Sequence, residues 1–97
     1  INQLVPNRTR LPIDDRLQLE GVLALVARTP DGAVTAYRQL ADRHATEAVR
    51  HLDLGVALMA AEDRAGARDA FTRAVTLDAQ LPAAHVRLGV LDVQEGH

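Results

Sequence analysis

Cysteine, tryptophan and lysine are missing from this chain, and aromatic side chains nearly so: Tyr37 and Phe71 are the single representatives of their kinds. The absence of cysteine excludes disulfides, thiolate metal sites and thiol nucleophiles, and leaves the redox compartment open. With so few rings, a core has to be assembled from leucine, valine and alanine, which is feasible because 47% of the 97 residues are hydrophobic. Small side chains of this kind let helices approach closely. The length supports one domain, with about 60–65% of its unfolded surface available for burial.

A strong charge of either sign is lacking as well. The formal net charge is −2, and all eleven basic residues are arginine, a bias expected of a GC-rich bacterial coding sequence. These arginines alternate with aspartate and glutamate, so they do not form the clustered basic surface from which nucleic-acid binding draws its affinity. No apolar run approaches the roughly 18–20 residues that span a bilayer, and no signal-peptide pattern opens the sequence. The expected partner is a protein or peptide, not nucleic acid or membrane, and the favoured compartment is the cytoplasm.

The residue sets of common chemistries are not assembled either. There is no glycine-rich phosphate loop, no serine with a plausible histidine and acid, and no convergent pair of carboxylates. His51 and His85 occupy equivalent sites, but a third ligand at suitable spacing is wanting, so they are read as packed or rim histidines. His44 falls near a helix C-terminus, where positive charge suits the dipole. No catalytic residue, cofactor or metal is expected, and the protein is not read as an enzyme.

What the sequence does have is a period. Gly21, Gly55 and Gly89 recur at a stride of 34 residues, and His51, Leu54, Gly55 and Val56 return as His85, Leu88, Gly89 and Val90. Glycine within a helix costs about 0.5–1 kcal/mol relative to alanine, so three at one stride imply a packing gain that exceeds the cost.

Residues 1–13, with Pro6 and Pro12, read as an extended lead-in. Asp14 and Asp15 supply the cap and acidic first turn of a helix carrying Leu17, Leu19, Val22, Leu23, Leu25 and Val26 and ending near Arg28. Thr29 is expected to cap a second helix, with Pro30 at its first position and Ala33, Tyr37, Leu40 and Ala41 on one face, running to about His44. Thr46 is expected to cap a third, from about Glu47 to Ala61, with Leu54, Val56, Ala57 and Leu58 on its apolar face. After a turn at Glu62-Asp63, the fourth runs from about Arg64 to Leu77, with Ala67, Ala70, Phe71, Ala74 and Val75 inward. Pro82 opens a fifth that reaches about Gln94 before Gly96 ends it.

The stretch 48–81 resembles a whole tetratricopeptide repeat: His51, Leu54-Gly55 and Leu58 on the first helix, Ala67, Phe71 and Ala74 on the second. His51 stands where tryptophan is usual, and Ala79 where proline is favoured. The stretch 14–47 keeps the frame with Leu17, Gly21, Ala24, Ala33, Tyr37 and Leu40, but has Glu20 in place of leucine, as a solvent-facing end repeat could. From Pro82 onward, His85, Leu88 and Gly89 reproduce the first helix, while Asp92 replaces a bulky residue. The resemblance implies an all-α solenoid of antiparallel helix pairs, five helices in all, over residues 14–97, with repeats 14–47, 48–81 and a partial 82–97. Starting at Ile1 and stopping partway through a repeat, the sequence reads as a piece of a larger protein.

A lone helix pair cannot cover its own apolar stripe, so stacking stabilises each repeat. The fifth helix should then leave Leu88, Leu91 and Val93 partly uncovered. About 200 Å² of such surface corresponds to ~5 kcal/mol, a reason to expect further polypeptide beyond this point or self-association.

In proteins of the family it resembles, the first helices line a concave groove that holds peptides or helices. The equivalent places here are Asp15, Gln18, Leu19, Val22, Leu25 and Val26; Val49, Leu52, Asp53, Val56, Met59 and Ala60; and Ala83, Val86, Arg87, Val90, Val93 and Gln94. One subgroup clamps a C-terminal carboxylate with lysine, asparagine and arginine. The matching places hold Gln18, Val22, Asp53, Ala83 and Arg87, so only the arginine is kept and carboxylate capture is not expected. An apolar groove formed by Val22, Leu52, Val56, Met59, Val86 and Val90 suits an apolar peptide or amphipathic helix, unless a flanking segment of the parent protein covers it or part of it is ordinary inter-repeat core. Asp53 and Arg87, one stride apart, are expected to pair. The leading reading is an interaction or scaffolding module. The alternatives are a regulatory or sensor segment of a bacterial kinase or transcription regulator, and a self-association element.

Overall fold

Five helices follow one another in the computed structural model, which describes residues 11–96: α1 (Ile13–Val26), α2 (Pro30–Arg43), α3 (Ala48–Ala60), α4 (Arg64–Leu77) and α5 (Pro82–Gln94). There is no strand among the described residues, and each helix packs on the next in sequence order. The architecture is all-α and repeat-like, a row of antiparallel helices in which contacts join neighbours. The bounds of α4 and α5 coincide with those read from the sequence; α1 stops two residues short of Arg28. Most of the expected lead-in over 1–13 lies outside the described residues, and Ile13 is already helical.

The connections repeat as strictly as the helices. Arg28, Glu62 and Gly96 have φ of 61°, 63° and 77°, a left-handed residue at the same register each time. Past the first two corners, Thr29 N donates to Ala24 O at 2.8 Å and Asp63 N to Leu58 O at 2.9 Å. These six-to-one bonds are those of a Schellman ending, which satisfies otherwise orphaned carbonyls and turns the backbone sharply.

The N-terminal caps differ from expectation. Thr29 and Thr46 do not cap: the Thr29 hydroxyl donates to Ala24 O at 3.2 Å, and α3 starts after Glu47, which makes no side-chain cap bond. The Thr29 hydroxyl is drawn back to the same Ala24 carbonyl that accepts from Thr29 N, a competing local bond. Asp63, read as part of a turn, is the residue that caps, accepting from Gly66 N at 2.9 Å. Pro12 occupies the N-cap position of α1, leaving Asp14 within the first turn.

The core is built where ring meets glycine. A Cβ on Gly21 would lie 2.6 Å from Tyr37 Cζ, and one on Gly55 2.6 Å from Phe71 Cδ1, so both rings lie directly on helix backbone. Ala33, Ala36, Ala67, Ala70 and Ala74 complete these buried seams. At Gly89 nothing lies within 4 Å, so the close approach expected there is not made. Leu91, expected to be partly uncovered, is fully buried at 0% exposure, while Val93 is 79% exposed. Leu91 holds the place that Ala57 holds on α3, which packs on the preceding hairpin; α4 is present to cover it.

Polar contacts fasten helix ends both within and between hairpins. His51 Nε2 lies 2.8 Å from Ala45 O and His85 Nε2 2.8 Å from Ala79 O. A carbonyl can only accept, so Nε2 carries the proton in both. Asp14 Oδ1 accepts from Arg43 Nε at 2.7 Å, and its Oδ2 lies 2.6 Å from His44 Nε2, while His44 Nδ1 is 3.1 Å from Glu47. The departure at Asp92 is explained in the same way, since Arg68 pairs with it at 2.9 Å and with Glu95.

Candidate functional site

On α3, which packs on α2 before it and α4 after it, Leu54, Gly55, Ala57 and Leu58 turn into the core. Val49, Leu52, Asp53, Val56, Met59 and Ala60 form the opposite stripe, as the 3.6-residue period requires. Leu52, Val56 and Met59 are half-buried, their inner atoms resting on the core, and Val49 is exposed. On α1 the equivalent stripe carries exposed Leu19, Val22 and Val26 with half-buried Gln18 and Leu25, and on α5 it carries exposed Ala83, Val86, Arg87, Val90, Val93 and Gln94.

None of the groove residues read from the sequence is fully buried. Arg50 joins the first two helices of this face, its Nη1 donating to Gln18 Oε1 at 3.1 Å, and its Nε lies 3.4 Å from Glu47.

Asp53 is the charged group set into this apolar stripe. Among the described residues it enters no ion pair and no side-chain hydrogen bond. The pairing with Arg87 expected from the stride is not formed: α5 packs chiefly on α4 and not directly on α3, so the two positions are not brought face to face. Burial pushes the Asp53 carboxyl above its ordinary pKa, an effect the Arg50 cation opposes. Burial, and then the negative charge of Asp53, push the Tyr37 hydroxyl up as well, so this buried phenol of α2 feels that carboxylate.

The opposite side holds a cavity that the sequence pattern does not announce. It measures about 550 Å³, floored by Ala41, Leu54, Leu58 and Ala70 and walled by Arg38, Asp42, Asp69 and Arg73 from α2 and α4. Its signal is faint, since those charges look like ordinary solvated helix faces. A second cavity of about 330 Å³ touches the predicted groove at Leu25, beside Arg28, Pro30 and Ala60.

No group of three or more His, Asp or Glu suited to a metal ion occurs among the described residues, and no described helix is long and apolar enough to cross a membrane. No protein-family model matches the sequence, and no curated protein matches it.

Proposed function

We propose that this protein is a tetratricopeptide-like interaction module, non-catalytic, whose face of first helices receives a peptide or helix of another protein. The observation that carries this reading is the stripe on α3. That helix has neighbours before and after it, yet Leu52, Val56 and Met59 keep part of their surface free and Val49 is exposed. The exposure on α3 is therefore not a consequence of lying at an end of the row. Contiguous apolar surface of this kind is characteristic of binding sites, and Met59 adds an adaptable contact.

Recovery of partners from a cell extract by the immobilised protein tests the reading against Val56→Asp and Val90→Asp versions. Val90 is exposed, so its replacement leaves the core intact. The expected outcome is loss of the same partners from both variants, with circular dichroism confirming the helices. Equal recovery by all three proteins would remove the groove from consideration.

A further inference from the structure

The centre of the apolar face holds a carboxylate that enters no ion pair among the described residues. Asp53 is half-buried beside Val56, and the nearest positive group, Arg50, is already engaged by Gln18 and Glu47. A charge taken partly out of water and left unpaired is costly, and a cation brought by a ligand would offset that cost while excluding ligands with an acidic group there. Resting on the interaction reading above, we infer that this face selects a polypeptide segment placing a lysine or arginine between apolar side chains, with the basic group over Asp53.

The chemistry of that segment follows from its surroundings. Val56, one turn along α3 from Asp53, requires an apolar residue next to the basic one, whose own methylene stem lies along that valine while its head reaches the carboxylate. Lysine or arginine meets this requirement, whereas glutamate would place like charges together in a partly desolvated valley. The same carboxylate argues against capture of a terminal carboxyl group.

A random dodecapeptide phage library selected on the immobilised full-length protein tests this, keeping only sequences that bind the wild type and not Val56→Asp. The expected result is enrichment of lysine or arginine flanked by apolar residues. A synthetic peptide of the enriched sequence should lose about five- to tenfold in affinity against the near-isosteric Asp53→Asn, the range of a partly exposed charge-assisted contact. Asp53→Lys should instead prefer the peptide with glutamate at that position. Groove-dependent peptides without basic enrichment, or with affinity indifferent to Asp53→Asn, would overturn the selectivity and leave the groove standing. If no groove-dependent peptides emerge, the interaction reading falls, and this inference with it. Thermal melts of both Asp53 variants separate lost binding from lost folding.

Discussion

At the scale of single residues, the three glycines of the stride have come to different ends. Gly55 is pressed by Phe71, so Gly55→Ala would overpack the seam and cost about 1–3 kcal/mol. Gly89 faces open space, so Gly89→Ala should gain about 0.5–1 kcal/mol of helix propensity. Urea melts of the two variants are expected to move in opposite directions, and movement in the same direction would refute the assignment of roles. The corners offer a second case. Glu62 adopts a left-handed φ of 63° where Gly96, at the same register, is a glycine. Glu62→Gly relieves the Cβ penalty against some added freedom of the unfolded polypeptide, for a net gain of up to about 1 kcal/mol, read as a higher Tm. The places of these corners are legible in the sequence but their left-handed conformation is not, because arginine and glutamate give no sign of it. The register shared with Gly96 is the only hint.

At the scale of elements, the helices are legible and their polar fastenings are not. Apolar spacing and the prolines at the first turns of α2 and α5 fix those elements locally. Caps depend on which neighbour wins a hydroxyl or carboxylate, and that is settled by tertiary placement. Asp14 shows this: it has the sequence position of a cap and instead ties the start of α1 to the end of α2. The hydrogen bonds from Arg43 and then His44 hold its carboxyl below the ordinary 3.8, against an opposing effect of desolvation. A carboxyl with a depressed folded-state pKa contributes stability that is present above its unfolded pKa and is lost as pH falls through the folded one. Asp14→Asn should therefore lower Tm near neutral pH. The deficit should shrink below about pH 4 and vanish once the wild-type carboxyl is protonated in the fold as well, which a pH series of melts would show. A deficit constant down to strongly acidic pH would mean that the contact is steric and not ionic.

At the scale of the whole molecule, the repeat architecture can be read because one period governs everything: glycine, ring, alanine seam, histidine bond and corner return together. The candidate face is legible as far as its membership, since helical phase alone separates Val56 from Leu54. Its electrostatic character is not, because the stride suggests that Asp53 and Arg87 neutralise each other. Equivalence in sequence does not bring the two into reach, because α5 packs chiefly on α4 and not directly on α3. The burial of Leu91 escapes the sequence for a related reason. A first helix has two sides to cover, and Leu91 faces the hairpin before it, not its own partner.

Because each helix among the described residues packs chiefly on its neighbours in sequence, no contact between distant helices sets a total size there. Such a body can be lengthened by splicing in another copy of residues 48–81 without redesigning anything elsewhere, since the new unit would meet the same two faces that the existing one does. Growth by duplication, one notch at a time, is thus open to this sequence in a way that a centrally packed globule does not permit.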